Sequence, residues 1–171
     1  GGYCVIGDVA PYLADDIEEF VEAVKLTTRA LIRVNTMDCL YGFETDRTNR
    51  IGVSLTGVFE FAWKEFRVGF RDLIACDPRG FVERWRKAHA DLGDVAFDVL
   101  RLSEDSVDRA TAFWFTLARA AEAAQKEAER YAEEIGANVP HTVRTVKPAG
   151  TTSKLYGLCE GWHLPAMRRY L

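Results

Sequence analysis

Hydrophobic side chains recur at helical spacing in several stretches of the chain. The clearest stretch covers residues 106–135, where apolar positions advance by three or four residues each, and Gly136 is suited to end such a helix. A second helix is predicted over residues 11–34, because acidic residues cluster in its first turns, where the helix dipole favours negative charge. Residues 58–75 are rich in phenylalanine and tryptophan and predict one more helix, and a shorter helix is expected over residues 80–90.

Strand signals are shorter and lie between these helices. Residues 50–57 are β-branched and punctuated by glycine, which predicts a strand and its exit, and residues 142–146 predict a second strand. Residues 3–9 fit a strand or an extended loop, and residues 95–102 fit a strand or an extended link. Helices that alternate with strands favour a helix-rich α/β fold, in which helical crossovers bring the strands together.

The small number of strands indicates part of a larger unit. Two or three strands would leave long helices with too little sheet to pack against. The sequence does not begin with Met, and both ends look like the interior of a fold. We therefore expect residues 1–171 to be a fragment of a single α/β domain.

Composition narrows the class of protein. The 171 residues are 48% hydrophobic and 28% charged, which is typical of a folded domain. The apolar runs are shorter than the about 20 residues of a membrane helix and the first residues do not resemble a signal peptide, so we expect neither; a net charge of −4 argues against a surface that coats nucleic acid. Cys4, Cys39, Cys76 and Cys159 form no CxxC pair, so we expect reduced thiols in a cytoplasmic protein, without a metal site.

The strongest chemical signal follows the predicted strand at residues 142–146, in the sequence KPAGTTSK. A glycine-containing turn that leads into a helix presents unpaired backbone N–H groups, which attract phosphate. Gly150 would allow close approach to the backbone, and the hydroxyls of Thr151, Thr152 and Ser153 would add donors. In the alternative interpretation, Thr152 or Ser153 only caps a helix and no ligand binds. The segment lacks the Walker pattern.

Other reactive side chains give weaker signals. Cys4, at the start of a possible strand, could be a nucleophile or a redox thiol, although a buried and inert cysteine is the commoner case. Cys159 and His163 are two potential ligands without further partners at zinc spacing, so structural packing is the better interpretation.

Three segments, taken in order, resemble one family. They are GYC at residues 2–4, NRIGVSLTG at residues 49–57, and VKPAGTTSKL at residues 146–155, which continues into GWHLP at residues 161–165. Together they resemble the catalytic barrel of ribonucleotide reductases and are most similar to the adenosylcobalamin-dependent (class II) ribonucleoside-triphosphate reductases. The resemblance implies the C-terminal half of a ten-stranded α/β barrel.

The resemblance also implies roles for particular residues. Cys4 would be one of two thiols that reduce the ribose and end as a disulfide, which a thioredoxin-type reductant restores. The substrate would be a ribonucleoside di- or triphosphate, and adenosylcobalamin would generate the radical. The residues that would hold the substrate's phosphates are Ala149, Gly150, Thr151, Thr152 and Ser153.

The chain departs from the family pattern in one important respect. No Asn-x-Cys-x-Glu segment, which would carry the radical cysteine, occurs in the sequence. We therefore expect the isolated 171 residues to be inactive as a reductase. Two alternatives stay open: the same barrel in a reductase with a different radical source, and a non-enzymatic α/β module that binds a phosphorylated ligand or a partner helix.

Overall fold

The structure, a computed structural model, describes residues 4–37 and 42–163. Cys39 and the end of the GWHLP stretch, residues 164–165, lie outside the described residues. The two strands are Val5–Val9 (β1) and Ile51–Leu55 (β2). The helices are Ile17–Thr36 (α1), Gly42–Thr48 (α2), Val58–Phe66 (α3), Phe70–Ala75 (α4), Pro78–Leu92 (α5), Ala96–Leu102 (α6), Ser106–Glu134 (α7) and Gly150–Tyr156 (α8).

Strands β1 and β2 pair in parallel. Val5 lies opposite Ile51 and Val9 lies opposite Leu55, so both strands run from the same edge of the sheet. The connection between them contains α1, as a parallel pair requires a crossover. Within the described residues this two-stranded sheet confirms the helix-rich α/β character, but it does not show a barrel.

The predicted strand at residues 142–146 is an extended segment beside β2. The N–H of Val53 donates to the carbonyl oxygen of Val143 at 2.8 Å, and the N–H of Thr145 donates back to Val53 at 3.1 Å. A single parallel bridge joins Val53 and Arg144. The segment therefore extends the sheet in parallel without being a full strand.

Helix α1 begins later than the sequence pattern predicts. Pro11 starts only a short 3₁₀ turn, and α1 itself starts at Ile17, because the Asp16 side chain accepts a hydrogen bond from the N–H of Glu19 at 2.8 Å. The helix then turns an apolar face inward. The buried apolar residues of that face are Ile17, Phe20, Val21, Val24, Leu31 and Ile32.

The chain divides into two compact units. The first contains the described residues up to Val58 and those from Ala120 onward, and the second is Phe59–Arg119. The sheet, α1 and α8 belong to the first unit, as do all candidate site residues that the sequence suggests.

The second unit has an aromatic core. The rings of Phe61, Phe66 and Phe113 pack edge-on or tilted, with centroids 5.8–6.3 Å apart. The helix predicted over residues 58–75 is divided into α3 and α4, because Arg67 adopts a positive φ of 51°. A left-handed residue cannot continue an α-helix, so the aromatic spacing alone extended this helix too far.

Two further segments differ from the prediction. The strand or extended link expected over residues 95–102 is wrong, because α6 occupies Ala96–Leu102. Its buried residues Ala96 and Leu100 are four residues apart, which is helical spacing that the β-branched neighbours concealed. The polar connection after α1 also contains a helix, α2. No helix in the described part of the chain is both long enough and apolar enough to cross a membrane.

Candidate functional site

One face of the sheet packs against α1. A Cβ atom added to Gly7 would lie 3.1 Å from the Thr27 side chain and 3.3 Å from that of Leu31. Because side chains alternate along a strand, Val5 and Val9 point to this same side. The face therefore belongs to the packed interior of the first unit.

The opposite face carries Cys4. Along β1 the alternation places Cys4, Ile6 and Asp8 together, and Ile6 and Asp8 lie directly opposite Gly52 and Ser54 of β2. Ile6 is 42% exposed whereas Ser54 is fully buried, so this side is open only at its amino end in the described chain. These five residues are referred to below as the Cys4 face.

Gly52 keeps the centre of the Cys4 face flat. A Cβ atom at this position would lie 2.7 Å from the Cγ2 atom of Thr145 and 3.2 Å from the Ile6 side chain. Only glycine fits between these neighbours without a shift. The segment at residues 142–146 therefore borders the Cys4 face.

Cys4 is exposed at the amino end of this face, immediately before β1. Among the described residues, its sulfur makes one weak contact, 3.8 Å from the carbonyl oxygen of Val5. Partial burial of the sulfur raises the pKa of the Cys4 thiol, and the positive charge of Arg50 opposes this shift. The thiol is therefore mostly protonated at neutral pH, a form that can donate a hydrogen atom or a proton.

Asp8 and Lys147 form an ion pair at the other end of the Cys4 face. The Lys147 Nζ atom lies 2.6 Å from Oδ2 of Asp8, and the two side chains are 31% and 11% exposed. The backbone N–H of Lys147 also donates to Oγ of the buried Ser54 at 3.3 Å. The second carboxylate oxygen of Asp8, Oδ1, is buried without a hydrogen-bond partner among the described residues.

The segment at residues 149–153 forms the start of α8. Ala149 is the N-cap residue, 2% exposed, with no side-chain hydrogen bond to the helix. Ser153 is fully buried, and its hydroxyl contacts the carbonyl oxygen of Gly150 at 3.3 Å. The interpretation of Thr152 or Ser153 as a helix cap is therefore wrong. The Ser153 hydroxyl also points into the turn and not toward a ligand.

The other three residues of the turn are more accessible. A Cβ atom on Gly150 would meet nothing within 4 Å, and Thr151 is exposed. The N–H groups of the first helical turn precede the first intrahelical bond, from Ser153 to Ala149 at 3.0 Å. Thr152 is half-buried on the wall of a cavity of about 350 Å³.

This cavity lies on the α1 side of the sheet, next to the carboxyl end of β1, and α1 residues such as Ala23 and Thr27 line it. Asp8, Thr56 and Thr152 line it together with apolar residues such as Val9 and Phe20. Thr56 is fully buried, and its hydroxyl has no hydrogen-bond partner among the described residues. The cavity therefore has an apolar wall and a polar end beside α8.

Two glycines lie at close contacts between the segments that resemble the reductase family. Gly57, at a φ of +71°, lies so close to Leu158 that a Cβ atom would fall 2.8 Å from that side chain. Gly161, at a φ of +58°, lies against the backbone of Lys147. The 49–57, 146–155 and 161–163 segments are thus neighbours, although up to about a hundred residues separate them in sequence.

Cys4 and the 149–153 turn lie at opposite ends of the sheet. Cys4 precedes the first residue of β1, whereas Thr152 shares a cavity with Asp8 near the end of the strand. Four residues of strand separate Cys4 from Asp8, roughly 13 Å at 3.3 Å per residue. Cys4 and the 149–153 turn therefore both lie beside the sheet but are not in contact with each other.

The remaining candidates have structural surroundings. Cys159 is 7% exposed, with its sulfur 3.8 Å from the carbonyl oxygen of Gly161. His163 contacts the carbonyl oxygen of Glu160 through Nδ1 at 2.8 Å. Across residues 4–37 and 42–163, no three His, Cys, Asp or Glu side chains are grouped as a metal site would require.

Sequence reasoning missed Asp8 and Lys147 as a pair. Asp8 is four residues after Cys4, so the period of a strand already places both on one face. Lys147 belongs to the KPAGTTSK segment, but 139 positions separate it from Asp8, and no local pattern shows that they meet.

Two curated relatives match most of the chain. Both are adenosylcobalamin-dependent ribonucleoside-triphosphate reductases, one from Lactobacillus acidophilus at 30% identity and one from Lactobacillus helveticus at 32% identity. The chain is similar to one part of such a reductase. Each match covers 95% of this chain and 20% of the relative, so the chain spans about a fifth of the length of these relatives. No family model matches the chain. No solved structure matches it.

Proposed function

We propose that this chain is the part of a ribonucleotide reductase that carries one redox thiol and the substrate-phosphate turn. The reaction is the reduction of a ribonucleotide to a deoxyribonucleotide by the full-length parent. The observation that carries the proposal is that Cys4, the 49–57 segment and the start of the 146–155 segment lie together around the Cys4 face. The similarity to the two reductases supports it.

The geometry of the Cys4 face suits a nucleotide. Roughly 13 Å of strand separate Cys4 from Asp8, a span longer than a ribose ring, so the remaining length is available to the phosphates of a bound nucleotide. A ribose beside Cys4 would extend its phosphates toward α8. There the first-turn N–H groups and the hydroxyls of Thr151 and Thr152 are the accessible donors.

The redox step uses Cys4 together with a second thiol of the parent protein. The two thiols supply two electrons and two protons and join as a disulfide, while the 2′-hydroxyl leaves as water and a C–H bond replaces it. A thioredoxin-type reductant then reduces the disulfide. The raised pKa of Cys4 favours this role, because the protonated thiol holds the proton that the step consumes.

The names of the relatives imply adenosylcobalamin, whose chemistry is the generation of a radical. The described residues do not fit this cofactor. The cavity beside α8 is about 350 Å³, and a second, lined by Asn35, Asn49 and Asn138, is about 400 Å³, both far smaller than a corrin ring system with its adenosyl group. We therefore assign no step of this chain to the cofactor.

The role of Cys4 is tested in the full-length parent. Cys4→Ser is expected to permit at most one turnover per enzyme and to abolish repeated turnover with a thioredoxin-type reductant. The control is Cys76→Ala, which removes a buried thiol in the second unit and should retain repeated turnover. Normal repeated turnover by Cys4→Ser would contradict the assignment.

The role of the 149–153 turn is tested by nucleotide affinity. Gly150→Val adds side-chain atoms in open space, so the fold should be unaffected while the backbone N–H groups become less accessible to phosphate. The matched control is Gly42→Val, because Gly42 is also the first residue of a seven-residue helix with open space around it. We expect at least a tenfold loss of affinity for Gly150→Val only, and equal affinities would refute the phosphate site.

A further inference from the structure

Arg50 is the neighbour of Cys4 on the adjacent strand. Val5 and Ile51 are the first pair in register, so the residues before them also lie opposite each other. The N–H of Val5 donates to the carbonyl oxygen of Arg50 at 3.3 Å, which extends the pairing to this position. Neighbouring strands lie about 4.8 Å apart, and side chains alternate along each strand. The side chains of Cys4 and Arg50 are therefore adjacent on the Cys4 face.

Two hydrogen bonds hold the Arg50 backbone in this register. Its carbonyl oxygen accepts from the N–H of Val5 and also from Nδ2 of Asn35 at 2.9 Å. Asn35 is a residue of α1 that is only 1% exposed, and its Nδ2 also donates to Oδ1 of Asn49 at 3.1 Å. Helix α1 therefore fixes the start of β2 beside the start of β1, which keeps the arginine next to the thiol.

The charge of the Arg50 guanidinium acts on the Cys4 thiol. Burial is the larger effect and raises the pKa of Cys4, whereas the positive charge of Arg50 lowers it. The same charge reaches Glu44 of α2, but the hydrogen bond from Arg47 is the main cause of the lowered pKa of Glu44. Arg50 is half-buried, so solvent screens its charge only in part. The side chain is thus placed to stabilise a negative charge on the Cys4 sulfur.

The proposed redox cycle uses Cys4 in two protonation states. The protonated thiol serves the reduction of the ribose, but the return of Cys4 from the disulfide produces a thiolate. A thiolate of the dithiol reductant attacks the sulfur of the parent's second cysteine, the S–S bond breaks, and its electron pair stays on Cys4. The reductant's second thiol then displaces that cysteine, so the reductant ends as a disulfide and its two protons pass through solvent to the two cysteines. Such an exchange is faster when the leaving thiolate is more stable.

We infer that Arg50 is a positioning residue that stabilises the thiolate of Cys4 when the disulfide is reduced. This inference rests on the proposed function. The burial that keeps the thiol protonated for the ribose step also disfavours the thiolate, and Arg50 offsets this cost in the step that needs the thiolate. The role depends on a positive charge, so lysine should replace arginine here.

The test uses the full-length parent in its oxidised form, with dithiothreitol as the reductant. Arg50→Gln is expected to slow the reduction of the Cys4 disulfide by about three- to tenfold, and Arg50→Lys should stay within about twofold of the wild type. The matched control is Arg144→Gln, which should leave the rate unchanged. Arg144 is an exposed arginine beside the same sheet, but it pairs with Val53 and so lies on the α1 side.

Alkylation of Cys4 in the reduced protein gives a second readout, which needs no turnover. Iodoacetate and iodoacetamide are similar in size, but only iodoacetate carries a negative charge. Arg50→Gln should slow both reagents, because the thiolate fraction falls, and should slow iodoacetate about threefold more, because a cation beside the sulfur attracts the anion. Mass spectrometry of the Cys4 peptide measures both rates.

Several outcomes would overturn the inference. Reduction of Arg50→Gln at the wild-type rate would show that the charge does not act on the exchange. Equal slowing in Arg50→Gln and Arg50→Lys would show that the arginine only supports the fold, and equal slowing of the two alkylating reagents would show that its charge does not reach the sulfur.

If Arg50→Gln does not fold, Arg50→Lys and the wild-type protein decide. Slow reduction of Arg50→Lys, or a wild-type preference for iodoacetate no greater than that of a free cysteine, contradicts the inference. The proposed function is tested separately: normal repeated turnover by Cys4→Ser would refute it and would leave the alkylation result of the wild-type protein unaffected.

Discussion

Gly161 lies so close to Lys147 that a Cβ atom at position 161 would fall 2.6 Å from the Lys147 carbonyl oxygen. Gly161 also adopts a φ of +58°, a conformation that other residues rarely adopt. Two segments of the reductase-like pattern therefore contact each other through a position that admits only glycine. This contact holds the beginning of the 149–153 turn beside the end of β2.

Gly161→Ala should destabilise the protein through two effects. The positive φ costs about 1–2 kcal/mol, and overlap with the Lys147 backbone adds about 1–3 kcal/mol. The free energy of unfolding in urea measures the loss. Gly136→Ala is the control, because Gly136 has a φ of +68° but open space around its Cβ position. Equal losses for the two variants would show that the contact with Lys147 has no energetic consequence.

Gly52→Ala should also destabilise the protein, and Thr145→Ser should relieve the effect. The added Cβ atom would lie 2.7 Å from Cγ2 of Thr145, the methyl carbon that Thr145→Ser removes. A double-mutant cycle on the free energy of unfolding should show a coupling of about 1–2 kcal/mol. Additive losses would mean that the sheet shifts to accommodate the alanine.

Glu127→Gln should reduce stability at neutral pH and have little effect in acid. Hydrogen bonds from Arg130 and then Arg29 hold the pKa of the Glu127 carboxyl below its usual range, and the residue is 6% exposed. The carboxylate therefore stabilises the fold above its unfolded-state pKa, and this contribution is lost as the pH falls through the lower folded-state pKa.

We expect a loss of about 1–3 kcal/mol at pH 7 for this variant, measured by urea unfolding across a pH series. The difference between wild type and variant should shrink below about pH 4. The exposed Glu122, which pairs with Lys126, provides the control, and Glu122→Gln should leave stability nearly unchanged because solvent screens this pair. A difference for Glu127→Gln that stays constant with pH would contradict the charge-based explanation.

Cys4 should react slowly with iodoacetamide at neutral pH. Its pKa is raised by partial burial, so the thiolate fraction is smaller than in a free cysteine. Arg50→Gln removes the positive charge that opposes this shift and should slow the reaction further. Peptide mass spectrometry of the Cys4 peptide across a pH series measures the rate. Alkylation faster than that of a free cysteine at pH 7 would show that the thiol is activated.

The sequence was sufficient where local chemistry determines the structure. The spacing of apolar residues predicted α7, and the glycines and β-branched residues of 50–57 predicted β2. The start of α1 was predicted less well. The pattern placed it at Pro11, whereas the capping hydrogen bond of Asp16 places it at Ile17. The break between α3 and α4 was not predicted either, because nothing in the local sequence indicates that Arg67 adopts a left-handed conformation.

The site could be predicted only in part, for a different reason. The roles of Cys4 and Gly150 were suggested by sequence and stay predictions. The inward direction of the Ser153 hydroxyl, by contrast, depends on the actual path of the turn. The contact between Asp8 and Lys147 depends on which segment lies beside β2. Such long-range neighbours follow from tertiary packing and not from local periodicity.

The parallel arrangement of the sheet has a consequence for folding. β1 pairs with β2, which lies about 46 residues later, and β2 pairs with residues 142–146, which lie about 91 residues later still. These large sequence separations give the sheet a high contact order, so it should form slowly. During synthesis, Asp8 leaves the ribosome 139 residues before the lysine that neutralises it. A chain interrupted before residue 147 would therefore leave β2 without the 142–146 segment and Asp8 without its lysine, and would be a substrate for chaperones and proteases.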